Sequence, residues 1–334
     1  MIDLRSDICS EPTEEMWDAM RAHTPAWPMF DTDVALERLE RDGAALLGKQ
    51  AAVLVPTCTA ANVAALLTLA EPGRAVVLEQ DAHILTSEGM GIRSLARLRP
   101  VTLAGTRGHL EPSRVAEAIT VNDAAVLCLE NTNTRAGGTA ISARETAELA
   151  AVAHEHGAVV HLDGARLANA SVALGVPLAT LAAPADTVAF SLNKGLSAPF
   201  GALLAGSTDT VAAAREQIKA LGAGTLHKLG IFAAAGTIAL GMIDRLADDH
   251  RRASRLAELL REGGLEVDPV ESNIVFCHCP SGAEAVAERL AERGVASFIR
   301  DDFRLRFVTH RLIGDAEIDE AAAAIIASAS VVTA

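Results

Sequence analysis

The stretch AFSLNKGLSAPFGALLAG, residues 189–206, places one lysine, Lys194, between an apolar run and a glycine-rich run. The apolar segments on either side, residues 186–192 and 201–206, have the length and composition of strands that are buried on both faces. A lysine between such strands is most often a surface residue whose ammonium group reaches water. The alternative is a chemical group held at the end of a buried strand.

Five similar runs precede this stretch and complete the pattern of an α/β protein. They are short, rich in valine, leucine and alanine, and span residues 51–56, 74–80, 99–105, 124–131 and 158–163. Helical patterns lie between several of them, and residues 142–157 have a serine at the start and a glycine at the end, which are typical caps. This alternation predicts a large domain with a mostly parallel seven-stranded sheet flanked by helices.

The pattern changes after about residue 245. A helix, a strand, another helix, a pair of strands and a final helix follow, in an order typical of a smaller α+β unit. We therefore predict a large domain at residues 1–245, which includes an N-terminal arm at 1–14, and a small C-terminal α+β domain at 246–334.

Composition excludes several classes of partner. The chain has 334 residues, half of them apolar, and a net charge of −14 with no block of lysines or arginines. These values exclude nucleic acid and anionic membranes as main partners, while a small anionic ligand can still meet local cations. Five cysteines without regular spacing predict a reduced, cytoplasmic protein.

Three segments invite other interpretations. Residues 1–12 lack the basic start and apolar run of a signal peptide. The apolar run at 231–243 is too short to span a bilayer, and its alanine and glycine content favours a helix packed closely on another helix. Cys277, His278 and Cys279 lie in a predicted strand without a second ligand pair, so we predict no metal site.

Polar groups at the ends of the predicted strands are the candidates for chemistry, because ligands bind at the carboxyl edge of such sheets. The segment TCT at 57–59 begins a helix and is either a simple cap or a phosphate cradle. Asp163 ends another strand and needs a partner, either Arg166 in an ion pair or a protonated heterocycle. With Lys194, these groups match the needs of pyridoxal phosphate: an amine, an acid for the ring nitrogen and an anion site.

Several motifs resemble those of the L-threonine aldolases, in the β-eliminating lyase group of pyridoxal-phosphate enzymes with the aspartate-aminotransferase-like fold type I. They are DLRSD (3–7), LLGKQAAVLVPT (46–57), AHI (82–84), CLENT (128–132), HLDGARLANA (161–170), LNKGLSAPFGALLAG (192–206) and LRFVTH (305–310). The pair formed by HLDGAR and the lysine–glycine segment is the most specific. The resemblance implies pyridoxal 5′-phosphate as cofactor and a homodimer or homotetramer with shared active sites.

The resemblance also implies which residues contact the cofactor. Lys194 would carry it covalently, and Asp163 would keep the pyridine nitrogen protonated. His83 would stack on the ring, where it is also placed to act as a base on the substrate. The other implied cofactor-binding residues are Thr57, Cys58 and Thr59, which would hold the phosphate, and Arg166.

The implied substrate site holds the α-carboxylate with Ser6, Arg166 and Arg306. A guanidinium suits a carboxylate because two parallel N–H groups meet two oxygens. Arg304 shares a strand face with Arg306, so the sequence leaves open which of the two points inward.

Three segments depart from the family pattern. In residues 222–230 an arginine is usual, and His227 or Lys228 would supply the cation for the phosphate in its place. The other two departures are at Asn133 and Phe30. Asn133 stands where the family commonly has a histidine that meets the substrate β-hydroxyl, and an amide cannot take a proton near neutrality. Removal of that proton would then depend on His83, a water molecule or another group. Phe30 stands where a tyrosine is common. Both changes lie at the implied substrate side of the site and leave the cofactor chemistry intact.

We therefore predict a pyridoxal-phosphate aldolase that reversibly cleaves a β-hydroxy-α-amino acid, of the threonine, allo-threonine or phenylserine type, to glycine and an aldehyde. The alternative is β-elimination on a β-substituted amino acid, with the same cofactor and Lys194 as the base. A binding protein without catalysis is a third reading, which the presence of both Lys194 and Asp163 disfavours.

Overall fold

A computed structural model describes residues 1–26, 31–224 and 226–329 of the chain. Phe30, one of the departures from the family pattern, lies outside the described residues. The strands are β1 (Ile2–Asp3), β2 (Ala51–Val55), β3 (Ala75–Glu79), β4 (Arg99–Leu103), β5 (Ala124–Glu130), β6 (Val159–Gly164), β7 (Thr187–Ser191), β8 (Ala202–Gly206), β9 (Ile274–His278), β10 (Val295–Ala296), β11 (Phe298–Asp301) and β12 (Arg304–Val308).

Helices connect most of these strands. They are α1 (Glu14–Ala22), α2 (Val34–Leu46), α3 (Cys58–Leu69), α4 (His83–Thr86), α5 (Pro112–Asn122), α6 (Ala143–Glu155), α7 (Leu167–Leu174), α8 (Leu178–Ala182), α9 (Thr208–Ala220), α10 (Leu229–Leu240), α11 (Leu246–Glu262), α12 (Ala283–Glu292) and α13 (Asp315–Ala329). A short 3₁₀ turn at Asp7–Cys9 and a π-helical turn at Gly91–Leu95 complete the set.

The large sheet has seven strands in the order β2-β8-β7-β6-β5-β3-β4. Strand β8 runs antiparallel to both of its neighbours, and the other adjacent pairs are parallel. All residues of β3, β7 and β8 are buried, which explains why these segments are almost wholly apolar instead of alternating. The predicted α/β fold with a mostly parallel seven-stranded sheet is confirmed.

Helix α6 shows how local sequence sets the ends of these elements. The Ser142 hydroxyl accepts a hydrogen bond from the backbone N–H of Glu145, which satisfies one of the free donors of the first turn. Gly157 follows the helix with a φ of +77°, a left-handed conformation that glycine adopts at little cost. Both predicted cap positions are therefore confirmed.

Helix α10, the alanine- and glycine-rich segment, packs against α1 and α2. A Cβ atom at Gly236 would lie 2.8 Å from Cδ2 of Leu39 on α2, so glycine allows the two helices to approach closely. The expectation of a tightly packed helix is confirmed. Within the residues that the structure describes, we find no helix with the length and apolar character needed to cross a membrane.

A second hydrophobic core lies apart from the large sheet. It combines β9 and β12 of an antiparallel three-stranded sheet, ordered β11-β12-β9, with helices α11, α12 and α13. Strand β1 pairs in parallel with β10, and its neighbour Leu4 is fully buried in this second core. Residues 2–4 thus pack against residues 295–308. The division at residue 245, with the arm at 1–14 assigned to the large domain, stays a prediction.

Candidate active site

Asp163 and Lys194 lie at the carboxyl edge of two neighbouring strands. Asp163 is the next-to-last residue of β6 and pairs in register with Ala189 of β7, and Lys194 follows the end of β7 by three residues. Both groups influence the pKa of the His83 imidazole. Burial lowers this pKa, the charge of Asp163 opposes the shift and the charge of Lys194 adds to it. The structure therefore brings together the three residues predicted to be catalytic.

The Asp163 carboxylate is buried and is held by neutral donors. The side-chain amide of Asn62 donates to Oδ2 at 3.0 Å, and the backbone N–H of Ala165 donates to Oδ1 at 3.1 Å. Among the described residues it forms no ion pair with a basic side chain, so the suggested pair with Arg166 is wrong. A buried carboxylate with two hydrogen bonds and no cation is suited to a positively charged ligand group.

The side chain of Asn62 is itself held in place by His161. His161 lies two residues before Asp163 on the same face of β6, and its Nε2 is 3.0 Å from Oδ1 of Asn62. Its Nδ1 is 2.8 Å from the Thr187 hydroxyl. Because burial lowers the pKa of His161 to about 4, the ring is neutral at pH 7. Nε2–H then donates to the Asn62 oxygen, which orients its amide N–H groups toward Asp163.

The start of α3 faces this group of residues. Thr57 is the N-cap, and its hydroxyl accepts from the N–H of Ala60. The N–H groups of Cys58 and Thr59 belong to the first turn, where no intrahelical acceptor exists. Cys58 is helical with negative φ, so its side chain does not prevent anion binding by the backbone. The segment at 57–59 therefore acts as a cap and also presents the donors that a phosphate requires.

His83 begins the short helix α4, and carboxylates hold its position. Its backbone N–H donates to Oε2 of Glu130 at 2.7 Å, and its Nε2 lies 3.8 Å from Oε1 of Glu88. Burial raises the pKa of Glu130 to about 7. Glu88 also accepts from the Thr59 hydroxyl and from the Asn62 amide, so it links the helix start to the Asp163 group.

A cavity of about 340 Å³ opens beside Lys194. It is lined by Ser6, Ile8, His83, Ser87, Thr134, Arg135, Arg166, Lys194, Phe298, Ile299, Arg300 and Arg306. The walls come from segments at the edge of the large sheet, from strands β11 and β12 and from the N-terminal segment. Five of the predicted site residues therefore meet in one space, and they include the three that were expected to hold a substrate carboxylate.

Arg166 is fixed by a buried carboxylate. Its Nε donates to Oδ2 of Asp7 at 2.9 Å and its Nη2 donates to Oδ1 at 2.6 Å, while Nη1 donates to the Thr134 hydroxyl. Burial alone would raise the pKa of Asp7, but Arg166 outweighs it and lowers the pKa to about 2. The ion pair orients Arg166 at the cavity wall, next to Ser6.

Arg306 is the inward-pointing arginine of β12. Its guanidinium carbon lies 4.2 Å from the centre of the Phe298 ring, and its Nη2 donates to the backbone oxygen of Arg5. Arg304 instead forms an ion pair with Asp301 and borders a neighbouring cavity. The choice that the sequence left open is therefore decided in favour of Arg306.

Asn133 does not reach the cavity beside Lys194. It is buried, its Oδ1 accepts from the backbone N–H of Ala136, and it borders a separate small cavity. The predicted contact between Asn133 and the substrate is therefore not supported by its position, because its side-chain oxygen accepts a hydrogen bond within its own loop. The next two residues, Thr134 and Arg135, line the cavity instead.

Several site residues escaped prediction. They are Asp7, Asn62, Glu88, Glu130, Thr134, Arg135, His161 and Arg300. His161 had a usable signal, because its two-residue spacing from Asp163 places both on one face of a strand. Asp7 lies in the DLRSD motif, but its partner is far away in the sequence. The remaining six are brought in by tertiary contacts.

Comparison with known proteins places this arrangement in a family. Residues 3–280 match the family described as beta-eliminating lyase. The chain belongs to the beta-eliminating lyase family. It is 35% identical to the "Probable low-specificity L-threonine aldolase 2" of Arabidopsis thaliana, over 95% of this chain and 94% of the relative. It is 34% identical to the "Low specificity L-threonine aldolase" of Escherichia coli K12, over 97% and 98% of the two chains.

Solved structures agree with the family on the fold. A threonine aldolase of Leishmania major superposes with a TM-score of 0.84 at 22% identity, over 97% of this chain and 98% of that one. A serine palmitoyltransferase of Sphingomonas wittichii superposes with a TM-score of 0.77 at 18% identity, over 98% of this chain and 86% of that one. The resemblance drawn from the motifs is confirmed, and this member of the beta-eliminating lyase family is a pyridoxal-phosphate-dependent lyase.

Proposed function

We propose that this chain is an aldolase that cleaves a β-hydroxy-α-amino acid, such as threonine, allo-threonine or phenylserine, to glycine and an aldehyde, and also catalyses the reverse reaction. The observation that carries the proposal is the single cavity that joins Lys194 and His83 to Arg166 and Arg306. An amine, an imidazole and a carboxylate-binding pair in one space suit an amino-acid substrate. The names of the relatives support threonine as one such substrate.

The residues present fit pyridoxal 5′-phosphate. Asp163 is a buried carboxylate without a basic partner in the described chain, which suits a protonated pyridine nitrogen. Helix α3 offers N–H groups of its first turn to a phosphate. The Lys194 ammonium lines the cavity and makes no hydrogen bond or ion pair within the described residues, which leaves it available for covalent attachment. When bound, the cofactor would supply an electron sink for the electron pair left on Cα.

The chain's own residues would supply orientation and proton transfer. Arg166 and Arg306, with Ser6, would bind the α-carboxylate and so fix the direction of the Cα–Cβ bond. His83 is the base proposed for the β-hydroxyl, because burial lowers the pKa of its imidazole and keeps it neutral at pH 7. Asn133 has no part in this step, since its side chain is directed into its own loop.

Product analysis tests the proposal against β-elimination. Purified holoenzyme is incubated with L-threonine, L-allo-threonine and phenylserine, and aldehyde, glycine, ammonia and keto acid are quantified. We expect equal amounts of glycine and aldehyde. Keto acid and ammonia without aldehyde would overturn the aldolase assignment in favour of the elimination reaction.

The Lys194→Ala variant tests the cofactor assignment separately. We expect it to lose the visible absorbance of the covalently bound cofactor together with activity, while its far-ultraviolet circular dichroism stays that of the wild type. Arg304→Ala is the matched control, because Arg304 borders the neighbouring cavity. Full activity in Lys194→Ala would contradict the proposed covalent attachment.

The expected partners follow the same reasoning. We propose a small-molecule amino acid and an aldehyde as ligands, and a homodimer or homotetramer with shared active sites as the assembly. A cytoplasmic location stays a prediction from the cysteine content. Size-exclusion chromatography with light scattering measures the assembly directly.

A further inference from the structure

The cavity beside Lys194 carries an excess of positive charge. Among the described residues, twelve line this cavity; five of the twelve are cationic and none of the twelve is acidic. The whole chain has a net charge of −14, so this concentration of arginine is opposite in sign to the protein that surrounds it. Such a cavity draws anions from solution and holds them more firmly than the exposed surface does.

The arginines of this cavity differ from their neighbours in their partners. Arg107 and Arg304 border only the adjacent cavity and form ion pairs with Glu271 and with Asp301. Arg135 and Arg300 line both cavities. Arg166 is neutralised by Asp7. The three others in the cavity form no ion pair within residues 1–26, 31–224 and 226–329; they are Arg135, Arg300 and Arg306.

Buried donors of these side chains also lack acceptors. The Nε atoms of Arg300 and Arg306 are buried without a hydrogen-bond partner in the described structure. Burial and the charges of Arg166, Arg300 and Arg135 lower the pKa of Arg306 to about 10. Burial, followed by Arg135, lowers the pKa of Arg300. The guanidinium groups are therefore close enough to repel one another, and an anion between them would relieve that repulsion.

One α-carboxylate does not use all of these donors. With Arg166 and Arg306 assigned to the α-carboxylate, Arg135 and Arg300 remain among the residues that line this cavity, at its border with the adjacent one. The two residues come from different parts of the fold, a loop after β5 and strand β11, and an Nη2 of Arg300 lies 3.5 Å from the backbone oxygen of Arg135. Their remaining donors are available to a second anion beside the first.

We propose that the preferred substrate is a β-hydroxy-α-amino acid whose side chain carries its own carboxylate, bound by Arg135 and Arg300. This inference rests on the proposed aldol cleavage and specifies its substrate class. Ile8 and Ile299 also line the cavity and would suit an apolar side chain. An apolar group would, however, exclude water from Arg135 and Arg300 without replacing it, which is unfavourable for charged groups.

The reaction balances without any oxidant or reductant. With 3-hydroxyaspartate as the simplest such substrate, the hydroxyl loses its proton to a base, a carbon–oxygen double bond forms at Cβ, and the Cα–Cβ bond breaks. Cα keeps the electron pair and takes up a proton. The products are glycine and glyoxylate, an aldehyde that bears the carboxylate held by the two arginines.

Competing substrates test the proposal with the holoenzyme. The values of kcat/KM for L-3-hydroxyaspartate and L-threonine are measured by release of glyoxylate and of acetaldehyde. We expect the wild type to prefer the acidic substrate about tenfold or more. In Arg135→Gln and in Arg300→Gln the ratio of the two kcat/KM values should fall about tenfold to hundredfold, because each removes a charged hydrogen-bond donor.

Arg304→Gln is the matched control, because Arg304 lies on the next strand, is already in an ion pair and, unlike Arg135 and Arg300, does not line the cavity beside Lys194. It should keep the wild-type ratio. Binding provides a readout without turnover: the absorbance of the bound cofactor is titrated with L-aspartate and with L-2-aminobutyrate. The two cavity variants should lose affinity for L-aspartate by a similar factor and keep their affinity for L-2-aminobutyrate.

The outcomes separate this inference from the proposed function. If threonine is cleaved and the wild type shows no preference for the acidic substrate, the inference fails and the aldolase assignment stands. If neither substrate yields an aldehyde, the proposed function itself fails. If Arg135→Gln and Arg300→Gln dissociate the oligomer while the substrate ratio is unchanged, these arginines bind a partner subunit and the inference is also overturned.

Discussion

Asn62 connects three residues of the site through a single side-chain amide. Its Nδ2 donates to Asp163 and Glu88, and its Oδ1 accepts from His161. We expect Asn62→Leu to deprive the buried Asp163 of a hydrogen bond and to weaken pyridoxal phosphate binding about tenfold to hundredfold. Titration of the apoprotein with pyridoxal phosphate, followed by absorbance, measures this loss.

Asn122→Leu is the matched control, since Asn122 contacts Arg99 at the surface, at the opposite end of the sheet from the site. It should bind pyridoxal phosphate with the affinity of the wild type. An Asn62→Leu protein that also binds with wild-type affinity would show that Asp163 needs no support from this amide.

The pair formed by Asp7 and Arg166 makes the fold depend on pH. Burial favours the neutral form of Asp7, but the charge and hydrogen bonds of Arg166 outweigh burial, and the pKa of Asp7 is lowered from 3.8 to about 2. A lowered carboxyl pKa stabilises the fold above the unfolded-state value and is lost as the pH falls through the folded-state value. The contribution of about 2 kcal/mol is therefore complete above about pH 5 and disappears between about pH 4 and pH 2.

Replacing Asp7 tests this contribution. We expect Asp7→Asn to lower the free energy of unfolding by about 3–5 kcal/mol at neutral pH, because Arg166 would stay buried without a counter-charge. Urea unfolding at several pH values should show the difference from wild type shrinking as the pH falls toward 3. Asp315→Asn, which breaks an exposed pair with Arg252, should have a much smaller effect at every pH. A pH-independent cost for Asp7→Asn would exclude the ion pair as its cause.

At the scale of elements, the start of α3 combines a structural and a binding role. The Thr57 hydroxyl caps the helix, and the neighbouring N–H groups are the proposed phosphate donors. We expect Thr57→Val to lower the free energy of unfolding by about 1 kcal/mol and to weaken pyridoxal phosphate binding about fivefold. Thermal unfolding and cofactor titration measure the two effects on the same samples.

Helix α6 offers the control for this prediction. Ser142 caps it in the same way, with its hydroxyl accepting from Glu145 N–H, and no predicted cofactor residue lies nearby in the sequence. Ser142→Ala should lose similar stability and bind the cofactor normally. If both variants lost cofactor affinity equally, the effect would belong to general destabilisation and not to the phosphate site.

At the scale of the whole molecule, the sheet was predictable and the site only partly so. Strands β3, β7 and β8 were recognisable because they are almost wholly apolar, and burial on both faces demands that pattern. The edge strand β4 is partly exposed and contains Arg99 and Thr102, so its apolar pattern is weaker. Lys194, Asp163 and His83 were recognisable from motifs that resemble a known family. These three residues were therefore identified mainly from the residues next to them in the sequence.

The rest of the site depends on contacts between distant segments. Asp7 and Arg166 are 159 residues apart, and Asn62 and Asp163 are 101 apart. Spacing between nearby residues in the sequence cannot predict contacts over such distances. The Asn133 prediction failed for a related reason, since a motif position does not determine the direction in which a loop side chain points. Arg300 lies on a strand pair whose register with Arg306 appears only in three dimensions.

The N-terminal segment links the second hydrophobic core to the substrate side of the site. Leu4 is fully buried in that core, its N–H donates to Ala296, and its backbone oxygen accepts from Val308. The next residue, Arg5, offers its backbone oxygen to Arg306, and Ser6 lines the cavity. Anchoring of Leu4 therefore positions the groups proposed to bind the α-carboxylate.

We expect Leu4→Ala to lower the free energy of unfolding by about 2–5 kcal/mol and to raise KM for threonine more than it lowers kcat. The KM effect follows because the loosened segment carries Ser6 and the backbone contact to Arg306.

Met16→Ala removes an equally buried side chain from the hydrophobic core of the large sheet and should cost similar stability. Since Met16 belongs to α1 and has no link to the cavity, its variant should keep the wild-type KM. Equal KM values in the two variants would mean that burial of Leu4 supports the fold alone, and that the carboxylate site holds its shape without the N-terminal strand.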